Sequence, residues 1–161
     1  MRTGRASRYG RSMGNSAHAD LVRRWVGMFN SQDISAAGEL AVADYTEHAI
    51  APFGRIETGA VDGPTHLREA ATWLIAQFPD LRMRIEAIVE AGDLVAALVA
   101  STGTNLGPLN GVLPPTGRSF SARQSHWFRI RDGRLAEHWA TRDDLSAMIQ
   151  LGVVPMPGPP Q

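Results

Sequence analysis

The stretch "SFSARQSHWFRIRDGRLAEHWATRDDL", residues 119–145, decides the fold. It holds two extended runs separated by Asp132-Gly133, a dipeptide favoured in tight hairpin turns. The pair His-Trp occurs in both runs, at 126–127 and 138–139. That spacing fits one hairpin, and no repeat of 20–50 residues recurs along the chain.

Successive side chains of a strand point to opposite faces. One face of the first run carries Phe120, Ala122, Gln124, His126, Phe128 and Ile130; the other carries Ser121, Arg123, Ser125, Trp127, Arg129 and Arg131. The first face is apolar at both ends, with an amide and an imidazole between. A buried polar group without a partner costs roughly 1–3 kcal/mol. Gln124 and His126 therefore require partners, which are other side chains of the core, water or a ligand. The second run can pair in two ways. A turn of Asp132-Gly133 alone sets Phe128 opposite Glu137 and His126 opposite Trp139. One more residue, taken up with a bulge, sets His126 opposite Ala140, Arg129 opposite Glu137 and Trp127 beside Trp139. Both registers stay open at this level.

Outward from the hairpin, "LRMRIEAIVEAG" alternates and "DLVAALVASTGT" is an apolar run, with a turn at Ala91-Gly92-Asp93 between them. These four runs predict an antiparallel meander. A Gly/Pro loop, "NLGPLNGVLPPTGR", separates its halves. The N-terminal half has helical spacing instead. Leu21, Val22, Trp25, Val26, Met28 and Phe29 mark a first helix, and "DISAAGELA" a shorter one capped by Asp33. Leu67, Ala70, Ala71, Leu74, Ile75 and Phe78 mark a third helix, opened at Pro64 or Thr65 and stopped by Pro79. "DYTEHAIAPFG" has no clear period, and "DDLSAMIQLG" is a last short helix. Helices first and strands after predict an α+β fold.

Composition narrows the function. The 161 residues are 43% hydrophobic and 20% charged, which suits one domain with a real core. No apolar run is long enough for a membrane span, and no secretory signal is visible. There is no cysteine, which excludes thiolate nucleophiles and cysteine metal sites. All sixteen basic residues are arginine, which excludes Schiff-base chemistry on a lysine. Residues 1–16 are Arg-, Gly- and Ser-rich and predict a disordered tail, within which Met13 offers a second start. Residues 17–154 form the expected domain, and 155–161 a Pro-rich tail. Without the first tail the chain is mildly acidic, which argues against nucleic-acid binding. A cytoplasmic location fits.

Further candidates for chemistry are His48, Asp143 and Asp144. The two acids open the last helix, where carboxylates cap free N–H groups and favour the helix dipole. They also end a strand that bears the candidate site, which leaves an acid/base role open. His18 and His66 lie on or beside helices and read as surface or capping residues. No histidine spacing suits a metal, no glycine-rich phosphate loop follows a strand, and no nucleophile elbow is present.

Four segments together resemble the SnoaL-like polyketide cyclase family of the NTF2-like superfamily. They are "DYTEH" (44–48), "GPTHLREAATWLIAQFPDLRMRIEAIVEAGDLVAALV" (63–99), "GTNLGPLNGVLPPTGR" (103–118) and "HWFRIRDGRLAEHWATRDDLSAMIQLGVVP" (126–155). The resemblance covers residues 18 to 155. It implies a cone-shaped, curved antiparallel sheet with the N-terminal helices packed on its concave side, usually as a homodimer joined sheet to sheet. It implies a deep apolar pocket and catalysis without metal or cofactor, on a small apolar or polycyclic substrate. His126 and Gln124 match the family's pocket histidine and amide, and His48 a polar pocket position. Family cyclases tend to carry an acid/base Asp directly after the Trp of "EHW", where this chain has Ala140.

Three readings follow. The first is intramolecular aldol cyclisation of a polyketide. His126 takes the proton, Gln124 bonds the enolate oxygen, and Asp144 or Asp143 orients the histidine or protonates the alkoxide. Trp139, Phe120 and Phe128 line the pocket, and Tyr45 and Trp73 extend the lining. The second is cofactor-independent hydroxylation in the same pocket. The third is a non-catalytic protein that binds an apolar ligand, which the alanine at 140 favours. Trp127, on the opposite face among arginines, is the one residue-level hint of a dimer surface.

Overall fold

The structure is a computed structural model that describes residues 16–50, 59–156 and 158. The first fifteen residues, and 157 and 159–161 of the Pro-rich end, lie outside it, so the expectations for both tails fall largely beyond the described residues.

Helix α1 spans Ala17–Ser31. The Ser16 hydroxyl accepts from the Ala19 N–H and supplies the N-cap, and Gln32 ends the helix in the left-handed conformation. The predicted apolar stripe is its buried face, from Leu21 to Phe29. Asp33 caps a 3-10 turn, Ile34–Ala36, that leads into the short α2, Ala37–Leu40. Helix α3 covers Gly63–Gln77, with Asp62 as N-cap and Pro64 in the first turn. Its start lies against strand β1 (Ala41–Glu47): a Cβ on Gly63 would sit 2.3 Å from the Val42 carbonyl oxygen, so only glycine permits this approach. The last helix, α4, is Asp144–Gln150.

The remaining strands are β2 (Gly59–Val61), β3 (Arg82–Ala91), β4 (Leu94–Thr104), β5 (Ser119–Arg131) and β6 (Arg134–Arg142). The expected meander is β3 to β6. The sheet is larger than that, six strands in the order β2-β1-β6-β5-β4-β3. β1 joins β6 in parallel, and β2 pairs antiparallel with β1. Most of β1 lies in the stretch that periodicity left unassigned. The expectation of a wholly antiparallel sheet is therefore corrected: β1 precedes the meander in sequence yet closes onto its last strand. The sheet curves but does not close into a barrel. Helices α1 and α3 pack on the concave side, as the resemblance implies, over a core that includes Trp25, Phe29, Tyr45, Phe78 and Phe128. Among the described residues no helix is long and apolar enough to cross a membrane.

The β5–β6 hairpin combines both registers weighed from sequence. Asp132 and Gly133, with φ of 52° and 70°, form a two-residue turn with positive φ at both positions. Arg131 then pairs with Arg134 and Ile130 with Leu135. One step further the register slips: Arg129 pairs with Glu137, Phe128 with His138, Trp127 with Trp139 and His126 with Ala140. The extra residue is Ala136. Because strand side chains alternate with period two, this single bulge sends His138, Ala140 and Arg142 to the concave face. Glu137 and Trp139 go to the convex one.

Candidate active site

The concave face of the sheet, α1 and α3 enclose a cavity of about 170 Å³, with the start of α4 at its edge. Its wall is mainly apolar: Trp25 and Phe29 come from α1, Leu67 and Trp73 from α3, and Phe120 from β5. A dry cavity of about 150 Å³ is enough to hold benzene. This one therefore admits at least one aromatic ring.

The polar part of the wall is a continuous chain of side chains. His126 Nδ1 lies 2.9 Å from His138 Nε2, and His126 Nε2 lies 2.8 Å from the Gln124 side-chain amide. His138 Nδ1 is 2.9 and 3.0 Å from the two carboxylate oxygens of Glu47. His66 Nε2 reaches the same carboxylate at 2.9 Å, and the Ala49 N–H donates to it at 2.7 Å. Four elements thus converge: β5 supplies Gln124 and His126, β6 His138, β1 Glu47 and α3 His66. Glu47, His126 and His138 are all buried, His126 at 4% exposure. Trp25 packs on the pair, its ring centroid 4.9 Å from that of His126 and 6.0 Å from that of His138.

Burial and bonding set the charges. Burial alone raises the Glu47 carboxyl, but hydrogen bonds from His138 and His66, the His138 charge and the Ala49 N–H outweigh it and bring the pKa to about 2. Glu47 is thus an anion at any physiological pH. Burial pushes His126 well below the usual imidazole range, reinforced by the charges of His138 and Arg142 and opposed by Glu47. His126 is therefore a neutral imidazole, the state a proton acceptor requires. Arg142, on the same face of β6, is part of the cavity wall. It donates to the Ile50 carbonyl and lies 3.4 Å from Asp144.

The structure brings together some of the residues singled out from sequence and separates others. Gln124, His126, Phe120, Trp73, Asp143 and Asp144 all line the cavity. His48 and Trp139 do not. They stack on each other outside it, with centroids 4.4 Å apart and planes 1° apart, and His48 bonds Glu137. For Trp139 the bulge at Ala136 is the cause, since it turns the odd positions beyond it outward. Phe128 is fully buried behind the histidines, its ring 4.9 Å from His138. Tyr45 is fully buried and not part of the wall; burial, then the Glu47 charge, raises its phenol well above the usual range. Asp143 caps α4 by accepting from the Ser146 N–H, and Asp144 faces Arg142. Neither bonds a histidine among the described residues. The carboxylate in the histidine chain belongs to Glu47.

Glu47, His138, His66 and Trp25 were absent from the sequence-derived candidates, and the reading of His66 as a surface or capping residue is corrected by its bond to Glu47. Two signals pointed to them. Glu47 alternates with the apolar Tyr45 on β1. His66, Ala70 and Trp73 form a stripe along α3 beside the core stripe, and all three line the cavity. A further polar group in the wall is Ser101 of β4, whose buried hydroxyl has no hydrogen-bond partner among the described residues.

The chain has known relatives. The profile of the SnoaL-like polyketide cyclase family matches residues 19–151. The chain is 34% identical over 146 residues to the aklanonic acid methyl ester cyclase DauD of Streptomyces sp. (strain C5), covering 89% of this chain and 86% of that one. It is 32% identical over 128 residues to the nogalonic acid methyl ester cyclase of Streptomyces nogalater, 79% of this chain and 91% of the relative. Among solved structures it is similar to IdmH of Streptomyces antibioticus, assigned as a polyketide cyclase. The TM-score is 0.71 at 32% identity, over 84% of this chain and 98% of that one.

Proposed function

This chain belongs to the SnoaL-like polyketide cyclase family, and on that premise we propose that it closes a ring of a polyketide-derived substrate by intramolecular aldol addition, with His126 as the base. The observation that carries this reading is the placement of His126, a buried neutral imidazole in the wall of an apolar cavity with Nδ1 already engaged by His138. Nε2 is bonded to Gln124 Oε1 and becomes available to a substrate when that bond is released.

A carbon flanked by two carbonyls is acidic enough for a neutral imidazole to deprotonate. Its proton passes to His126 Nε2 and its electron pair becomes an enolate. The Gln124 amide, released from Nε2 as the substrate enters, donates to the enolate oxygen. The enolate carbon attacks a second carbonyl of the same molecule, and the alkoxide takes the proton back from His126. The sum is an isomerisation: one C–C bond forms, no atoms are lost and no cofactor takes part. The apolar wall holds the aromatic part of the substrate, and Ser101 offers one further hydrogen bond.

The test is incubation with aklanonic acid methyl ester and nogalonic acid methyl ester, the compounds named for the two relatives. The expected product has unchanged mass and altered retention. His126→Ala lowers turnover by about 10²-fold or more, and turnover that survives within a few fold overturns the assignment. A second reaction, cofactor-independent hydroxylation, fits the same pocket, since Ala140 pairs with His126 on the concave face and brings no carboxylate there. Exclusion of oxygen separates the two, since cyclisation persists without it and hydroxylation stops.

We also read the convex face as the surface of a homodimer. Val89, Ala96, Trp127 and Trp139 form a row across four strands there, with Val89 62% and Trp127 41% exposed. Light scattering on the purified protein tests this, and a monomer at micromolar concentration removes it.

A further inference from the structure

A buried base faces an energetic problem. Once His126 accepts a proton it becomes an imidazolium at 4% exposure, with the Arg142 charge acting on it and no carboxylate bonded to it among the described residues. A charge so placed is costly unless it is paired. The hydrogen-bond chain offers a way out, which follows from counting protons along it.

Glu47 is ionised and can only accept, so His138 Nδ1 must carry a hydrogen toward it, as must His66 Nε2. If His138 is neutral, its Nε2 is a lone pair. The 2.9 Å contact then requires the hydrogen on His126 Nδ1, which leaves His126 Nε2 bare as the base. Gln124, whose Oε1 is the atom at 2.8 Å from Nε2 in this structure, must then turn its NH2 to that lone pair. A second arrangement is consistent with the same distances and holds one more proton. His138 carries hydrogens on both nitrogens beside Glu47, and His126 is neutral with its hydrogen on Nε2, donated to the Gln124 oxygen. The two arrangements differ by one proton gained at His126 Nε2 and one hydrogen shifted from His126 Nδ1 to His138 Nε2.

We propose that His126, His138 and Glu47 form a proton relay, in which the proton abstracted by His126 leaves its positive charge on His138, paired with Glu47. This inference rests on His126 being the base. Proton uptake at Nε2 and hydrogen transfer from Nδ1 to His138 Nε2 occur along one line of rings whose planes differ by 11°. When the alkoxide recovers its proton from His126 Nε2, the hydrogen on His138 returns to His126 Nδ1, and the balance closes. His126 is never the charged ring. Glu47 and His138 are positioning residues that act through His126. Glu47 supplies from β1 the carboxylate that β6 lacks at Ala140.

The charged and titratable groups in the cavity wall around the histidine pair are Glu47 from β1, His66 and Glu69 from α3 and Arg142 from β6, with Asp143 and Asp144 at the start of α4; α1 presents Trp25 and Phe29. The test is nitrogen-15 NMR of the histidine rings in the intact protein across a pH titration, for wild type and Glu47→Gln. In the wild type at high pH, His126 is expected to carry its hydrogen on Nδ1. As pH falls, it exchanges that form for the Nε2–H form while remaining neutral, in the same step in which His138 becomes doubly protonated. Glu47→Gln keeps an acceptor for His138 but removes the charge, and moves that step down by about one pH unit or more.

Double protonation of His126 in that step overturns the relay, as does a step unmoved in Glu47→Gln. Neither readout needs a substrate, and the first needs no variant. A relay seen without any cyclisation therefore counts against the proposed reaction alone, and cyclisation without the switch counts against the relay alone. Where a substrate is turned over, Glu47→Gln lowers kcat by about 10²-fold with KM within about threefold; an unchanged kcat overturns the relay.

Discussion

His126 and His138 are hydrogen-bonded at 2.9 Å although they are not partners across the hairpin; His138 stands opposite Phe128, and His126 opposite Ala140. Their contact is diagonal, and with Ala136 present it requires that residue to bulge out of register. Deletion of Ala136 should restore an unbroken ladder behind the Asp132-Gly133 turn. The pairs Arg129–Glu137, Phe128–His138 and Trp127–Trp139 survive that deletion, so Glu137 and Trp139 stay on the convex face and His138 on the concave one. The deletion variant is therefore expected to keep cooperative unfolding, read by circular dichroism, and the His126–His138 contact, read from the histidine ring nitrogens by NMR. A deletion variant that no longer unfolds cooperatively would show that the bulge itself, and not only the register beyond it, holds the site.

Glu47 ties folding to pH. Its carboxyl is lowered to about 2 in the fold, from an ordinary value of 4.5. A lowered pKa contributes stability above the unfolded value, and that contribution is lost as pH falls through the folded one. A difference of this size corresponds to roughly 3 kcal/mol, fully present above about pH 5 and gone near pH 2. Chemical denaturation of Glu47→Gln should therefore show a deficit at pH 7 that shrinks steadily below pH 5. A deficit that stays constant down to pH 3 would mean that the loss is one of packing rather than charge.

The sequence made the helices and the meander legible because each has a strong period and clear punctuation. The stripe of α1, the Pro64 start of α3 and the Asp132-Gly133 turn all carry their own signals. It also made Gln124 and His126 legible, since two polar residues on an otherwise apolar strand face demand partners. The partners themselves were not legible. His138 reaches the pocket only through a bulge, and a bulge is one residue of register that composition does not report. Glu47 sits on a strand that pairs with the far end of the chain, so its neighbours are set by topology rather than by local pattern. Asp143 and Asp144 were natural candidates because they are close in sequence to the site. Their bonds go instead to the Ser146 N–H and to Arg142.

The orphaned hydroxyl of Ser101 makes a prediction of opposite sign for stability and function. A buried hydroxyl without a partner costs free energy in the unliganded protein. Ser101→Ala should leave thermal stability unchanged or raise it by about 1 kcal/mol. If the hydroxyl bonds the substrate, the same variant should raise KM several-fold, with kcat less affected, because the contact is made in ground and transition states alike. A destabilised variant would show that the hydroxyl has a protein partner in solution; an unchanged KM would remove Ser101 from substrate recognition.

Arg142 acts on the histidines through space. Its charge is one of the causes that hold His126 in the neutral form, after burial and the His138 charge. Arg142→Met keeps much of the side chain's length and removes the charge. Protonation at His126 should then move to higher pH, because a cation near the site disfavours added positive charge and its removal relaxes that penalty. In the pH profile of kcat/KM, the acidic limb is expected to shift upward, so the variant loses activity first on the acid side. The same substitution removes the donor to the Ile50 carbonyl, which bears on how that segment is held. A shift of the acidic limb separates the two effects, since loosening lowers activity at every pH without moving the limb. A limb that moves downward would contradict the assigned sign of the Arg142 charge at His126.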